Sequence, residues 1–365
     1  LYTLGGFLWS RLLFPFGNWA WRMNLYSALF GALTVALLFH LTTRLVTRTG
    51  GRPNWWAGLA AAALFGLGPT WWGQATIAEV YALHNFLLIA LMSAAIGINR
   101  TVSDGRPGAP PAGPAFHRRM MLIALLVGLG LAHHRTIVLA LPGLALYLLW
   151  SVPGIWRPQR AWLLWLAAVL GPLLLYAVLP LRASMGVRDL NGAYVNTVTG
   201  FFDHVLARSY TSFFRENALA VARTAGDWLA LVRNEIGMFG MALALLGLPW
   251  LFDGRRRPAK AWFFIFVVGL TNLLFAFNYR VGDVEVFLLP VFLCLALFAG
   301  AGVGTVERLL TPYSYLTSHI VQGTMVVLLA FGVGGRGPIV NRSDDWAAHD
   351  YAVAMAKVPF PPGSH

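Results

Sequence analysis

The stretch NLYSALFGALTVALLFHLTTRLVTR, residues 24–48, carries no Asp, Glu, Lys or Arg until Arg44 and Arg48. A helix needs about 20 mainly apolar residues to cross the hydrocarbon core of a bilayer, so 24–43 is long enough to span one. Nine further segments approach that length: 55–73, 79–98, 119–133, 135–151, 161–181, 234–252, 261–278, 284–305 and 318–334. The whole composition agrees. Of 365 residues 58% are hydrophobic and 11% charged, against about 45–50% and roughly 25% in soluble domains. A soluble globular protein is excluded. The expected fold is an all-α polytopic membrane bundle of about ten spans.

Positive charge sets the orientation, because short cytoplasmic loops are enriched in Lys and Arg. Arg44, Arg48 and Arg52 follow the first span; Arg100, Arg106, Arg118 and Arg119 follow the third; Arg157 and Arg160 the fifth; Arg255, Arg256, Arg257 and Lys260 the seventh; Arg308 the ninth. With ten spans these all fall on one face, the predicted cytoplasmic one, which holds about half of the 27 basic residues. The formal charge of +13 is therefore mostly a topology signal and gives no ground for a nucleic-acid partner. The single cysteine, Cys294, excludes a disulfide framework and a CxxC metal pair. No Walker A loop, HExxH or GxSxG is present.

The opposite, predicted external face owns most of the non-membrane sequence. Its long loop, 182–233, contains TVTGFFDHVLARSYTSFF and ALAVARTAGDWLALV, whose apolar residues recur at spacings of three and four. These predict amphipathic helices lying in the membrane interface. Two regions are expected: a bundle over 1–334 and an external tail over 335–365. The chain opens at Leu1 without a methionine or a basic leader region and stops at His365 after Pro-Pro-Gly, which is expected of the central part of a longer protein.

Ionisable groups at span ends are costly and become functional candidates. Glu79 opens the third span, with Gln74, Thr76, Tyr81 and His84 around it; it is suited to general-base work, to orienting a hydroxyl or to a divalent cation, ahead of the alternative of stabilising a helix dipole. His133, His134 and Arg135 form a compact donor cluster for a phosphate group and a poor metal site, since adjacent histidines diverge. Arg182 closes a span, and Asn191 follows in a turn-rich stretch. Tyr279 and Asp283 lie on the tight turn between the eighth and ninth spans, where Asp283 can instead pair with Arg280.

In order along the chain, LYTLGGFLWSRLLFPFGNWAWRMNLYSALFGALTVALLF (1–39), GPTWWGQATIAEVYALHNF (68–86), GLGLAHHRT (128–136), LPLRA (179–183) and FNYRVGDVEVFLLP (277–290) resemble the protein O-mannosyltransferase-like family. That family is similar to the GT-C glycosyltransferases, membrane bundles that take a sugar from a polyprenyl-phosphate carrier on the extracytoplasmic side. The resemblance implies a GT-C-like bundle, a polyprenyl-phosphate-linked sugar donor and a protein or glycan hydroxyl acceptor. It places Glu79 at the family's secondary acid and His133–Arg135 at its histidine pair. It also implies that the first span and the first external loop, with the principal catalytic acid, precede Leu1, so that these 365 residues alone are inactive.

The expected activity is transfer of a mannose-like sugar to a hydroxyl, with protein Ser or Thr as acceptor, at the outer face of a bacterial inner membrane. No cofactor is indicated by the residues; a divalent cation is compatible with Glu79. A transporter or flippase of lipid-linked saccharides, or a non-catalytic membrane anchor, would share the basic and aromatic groups. A transporter should place charge near the bilayer midplane, whereas here it gathers at one face.

Overall fold

The computed structural model describes residues 1–47, 51–100, 113–152, 154–157, 160–187, 194–215, 220–252, 259–334, 337–341 and 346–357. Among these residues the fold is all-helical, with a lone antiparallel bridge between Thr47 and Pro53. In chain order the helices are α1 (Tyr2–Leu8), α2 (Trp19–Leu45), α3 (Trp55–Gly66), α4 (Pro69–Thr76), α5 (Tyr81–Ile96), α6 (Pro114–Leu131), α7 (Leu141–Ser151) and α8 (Ala161–Leu173). They continue as α9 (Val178–Ser184), α10 (Val198–Val205), α11 (Ala225–Gly247), α12 (Ala259–Asn278), α13 (Leu289–Leu310), α14 (Tyr315–Gly334), α15 (Gly337–Val340) and α16 (Ala347–Ala356).

Every apolar segment read from the sequence is helical. Seven stretches are long and apolar enough to cross a membrane, counting 3-10 extensions such as Ala161–Ser184 and Val284–Leu310. The rest take other forms. α3 and the Arg135–Ser151 segment are short apolar helices, and α4 with α5 forms a span broken by a 111° bend. The 55–73 segment ends as a helix at Gly66, because Gly68 and Pro69 stop α3 and start α4 in a new direction. In the long loop, α10 and the 3-10 turn Arg208–Phe214 occupy the first amphipathic stretch. The second, 218–232, is different: from Ala225 it runs into α11, divided from the rest of that helix by a kink at Gly237 with φ 71°.

α13 is the axis of the bundle. Its membrane-crossing window is 89% buried, against 6% for the Ala161–Ser184 segment at the periphery. Small residues explain this position, since Ala299–Gly304 presents almost no side-chain bulk. A Cβ on Gly302 would enter the Leu243 carbonyl of α11, and one on Gly247 would enter the Phe298 carbonyl of α13. An apolar groove of about 850 Å3 remains between α2, α3, α4 and Val326 of α14.

Polar contacts gather at the two ends of the bundle. At one, the buried Glu307 of α13 accepts hydrogen bonds from Asn54, which also caps α3, and from Gln322 of α14. At the other, Glu235 of α11 is 2% exposed and accepts from the Thr70 and Trp71 amides at 2.9 and 3.2 Å. These are free N–H groups of the first turn of α4, and a carboxylate there satisfies both the donors and the dipole. Gly68 lets it approach, for a Cβ at that position would collide with Glu235. Glu235→Ala strands two amides and is expected to cost about 2–3 kcal/mol. Asp227→Ala, which removes an exposed capping box at Thr224, is expected to cost less. Equal melting temperatures for the two detergent-solubilised variants would contradict this ranking.

Candidate functional site

The bend between α4 and α5 carries Glu79. Residues 77–80 leave the helix, the Glu79 amide donates to Ile77 O at 2.8 Å, and the Glu79 side chain stands exposed with no hydrogen bond or ion pair among the described residues. Three segments hold this backbone. Ser27 of α2 donates to Glu79 O at 3.3 Å, Tyr2 OH lies 2.8 Å from Ser27 Oγ, and His133 Nε2 donates to Val80 O at 3.0 Å. Burial raises the Tyr2 phenol, and the Glu79 charge raises it further against the Ser27 hydrogen bond.

His133 and His134 sit in the turn after α6 because their amides close onto Gly130 O at 3.0 and 2.8 Å. The turn places three imidazoles together. His84 of α5 lies 4.9 Å from His134 and 6.5 Å from His133, ring centre to ring centre. His134 Nδ1 is 2.6 Å from Thr136 Oγ1, which is 3.2 Å from His84 Nε2. His133 commits its donor to Val80, and its Nδ1 is buried without a hydrogen bond among the described residues. Among those residues no group of three His, Cys, Asp or Glu side chains is arranged to hold a metal ion.

An aromatic wall continues from this cluster. Tyr81 packs on His134 and Phe287; Tyr279 packs on Phe287, Phe275, Phe213 and Phe214. Burial raises the Tyr81 phenol, and the charges of Asp283 and Glu79, from different turns of the chain, add to the rise. Burial raises the Tyr279 phenol, and Tyr210 and Asp283 add to the rise. Asp283 is exposed and forms no ion pair with Arg280 among the described residues.

The described parts of the 182–233 loop are fastened across the same end. Arg135 donates from Nε and Nη2 to the Val205 and His204 carbonyls, each at 2.6 Å, capping the C-terminus of α10. The Arg280 amide donates to Phe213 O, Val221 N to Arg280 O, and Arg223 to Gly282 O. Arg182 projects from α9, exposed and without a partner among the described residues, beyond Tyr176, which donates to Leu131 O at 2.9 Å. Asn191 lies outside the described residues. The structure therefore gathers Glu79, His133, His134, Arg135, Tyr279 and Asp283 at one end of the bundle. It adds Tyr81, His84 and Thr136, which sequence reading passed over as site residues. Their cue was available: Tyr81 and His84 are one helical turn apart beside Glu79, and Thr136 directly follows His-His-Arg.

Burial pushes His133 down to about 3 despite the Val80 hydrogen bond, and pushes His134 down to about 4 with the Arg135 charge adding to the effect. Both are neutral at pH 7. In the unfolded chain each titrates near 6.5, so between pH 6.5 and about 4 the unfolded state binds more protons and stability falls as pH is lowered. The loss expected from His134 is about 2 kcal/mol between pH 7 and 4.5. The melting temperature of purified protein checks it: His134→Gln should shrink the acid-induced drop, and an unchanged drop would contradict it.

An all-helical bundle with acids, arginines and histidines gathered at one end has counterparts of the same fold among solved membrane proteins. The archaeal oligosaccharyltransferase AglB of Archaeoglobus fulgidus, solved with an inhibitory peptide and a dolichol-phosphate, superposes on 91% of this chain with a TM-score of 0.53 at 12% identity. Its apo form gives 0.53 at 13%. The sequence resemblance is also borne out: residues 1–154 match the family model of the protein O-mannosyl-transferase TMEM260 N-terminal domain. The mouse protein O-mannosyl-transferase TMEM260 is 27% identical over 313 residues, 80% of this chain. The chain spans 41% of that relative and 46% of the archaeal chain.

Proposed function

We propose that this chain is the membrane core of a glycosyltransferase that moves a mannose-like sugar from a polyprenyl-phosphate-linked donor to a hydroxyl acceptor. The acceptor is a protein Ser or Thr, and the face is the extracytoplasmic side of a bacterial inner membrane. The observation that carries the reading is the exposed Glu79 turn, held by His133 through Val80 O, with Tyr81 of the next helix packed on His134. An exposed, unpaired carboxylate can take the proton of the attacking hydroxyl as its oxygen bonds to the anomeric carbon. The bond from that carbon to the phosphate oxygen breaks, and nearby cations and N–H donors stabilise the negative charge left on the lipid phosphate. His134 offers such a donor, while Arg135 and His133 hold the loop and the Glu79 turn. A site at the bundle end lets the isoprenoid remain in lipid.

The test is transfer of labelled mannose from polyprenyl-phosphate mannose to a Ser/Thr peptide by the full-length gene product in proteoliposomes. The expected result is peptide labelling that His134→Ala lowers about tenfold, the loss of a neutral hydrogen bond in the transition state. Movement of the donor across the bilayer without labelled peptide would replace this reading with that of a flippase.

A further inference from the structure

We infer that His84 and Thr136 form a hydrogen-bond relay that fixes the tautomer of His134, so that its Nε2–H faces the open side of the site as a donor. The inference deepens the proposed sugar transfer and rests on it for its chemical purpose.

Thr136 Oγ1 lies between two imidazole nitrogens, 2.6 Å from His134 Nδ1 and 3.2 Å from His84 Nε2. Among the described residues the two imidazoles are the hydrogen-bond partners of the Thr136 hydroxyl, so its one proton goes to one ring and it accepts from the other. In the first arrangement His84 Nε2–H donates to Thr136, Thr136 donates to His134 Nδ1, and the His134 proton lies on Nε2. In the second the chain reverses, and the His84 proton moves to Nδ1. That atom is buried without a partner, and a buried N–H with no acceptor carries a full desolvation cost of about 1–3 kcal/mol. The first arrangement also puts both rings in the Nε2–H form, the intrinsically favoured tautomer of histidine. The hydrogen bond at one ring nitrogen thus decides what the other presents.

The other ring nitrogen of His134, Nε2, makes no hydrogen bond among the described residues and is not fully sealed from solvent. His134, kept neutral by burial, therefore offers one N–H aimed away from the relay. A donor of this kind suits an oxygen on which negative charge develops, such as the phosphate oxygen of the departing lipid. His84, itself 2% exposed, has no access to such a group and acts only through Thr136. It is a positioning residue.

Two readouts test this on the full-length protein. Solution 15N spectra of the His134 ring should show a protonated Nε2 and a bare Nδ1, with Thr136→Val giving mixed tautomers and Thr136→Ser restoring the single form. With polyprenyl-phosphate mannose and a Ser/Thr peptide, Thr136→Val should lower kcat about tenfold with donor KM within about twofold, Thr136→Ser should recover it, and Thr136→Val combined with His84→Leu should be no worse than either alone. A His134 protonated on Nδ1, or one indifferent to Thr136→Val, overturns the relay whatever the activity. Independent, multiplicative losses in the double variant overturn it as well. If the unsubstituted protein transfers no sugar while the spectra behave as described, the proposed activity falls and the relay stands.

Discussion

Glu79→Gln is expected to lower sugar transfer about 100-fold or more while leaving the folded protein intact, because general-base catalysis contributes typically 10²–10⁴-fold. Its carboxylate makes no hydrogen bond or ion pair among the described residues, and the 77–80 turn is held instead through the Glu79 and Val80 carbonyls. Removing the charge therefore costs little stability. The effect should fall on kcat more than on donor KM, since the proton is taken as the hydroxyl attacks. Asp283→Asn gives the comparison. The charge of Asp283, on another turn, acts on the same tyrosine, and a larger loss there than at Glu79 would reverse which of the two acids serves as base. Normal transfer by Glu79→Gln would remove Glu79 from the chemistry altogether.

Gly302→Val is expected to abolish the folded state. The added Cβ would overlap the Leu243 carbonyl, a backbone atom of α11 that has no rotamer to change. Overpacking costs about 1–3 kcal/mol even where side chains can move, and here the two helices must separate along the axis of the bundle. Gly171→Ala in α8 is the control, since nothing lies within 4 Å of its added Cβ. Size-exclusion profiles of detergent extracts distinguish them: a monodisperse peak for Gly171→Ala and aggregate for Gly302→Val. A stable Gly302→Val protein would mean that α11 and α13 do not pack as described.

The spans were legible because the bilayer imposes length and apolarity on each segment separately, and those are properties of a window of sequence. Direction is not. Residues 55–76 read as one apolar run followed by polar residues, yet Gly68–Pro69 turns the chain, and a buried carboxylate some 165 positions away caps the new helix. Nothing in the local pattern of Glu235 separates it from a loop acid. At the site the charged candidates were visible for the same reason, since a charge at a span end is conspicuous. Their partners were not. Arg135 reads as a phosphate ligand from its neighbours His133 and His134, but two of its donors are occupied by α10, and only the folded loop reveals that. His84 reads as a neighbour of Glu79; its link to His134 runs through Thr136, 52 residues away, and only the fold brings the two together.

The contrast between the buried axis and the exposed, apolar Ala161–Ser184 segment has an evolutionary reading. Where almost every position of a helix touches protein, a substitution needs a compensating change on a neighbour. Where most touch lipid, any apolar side chain of suitable length serves. Divergence among homologues should therefore run fast along α8 while retaining hydrophobicity, and slowly along the Ala299–Gly304 stretch of α13, where small size rather than polarity is what selection holds. Comparing substitution rates of the two helices across related genomes would trace the packing of this bundle without any structure at all.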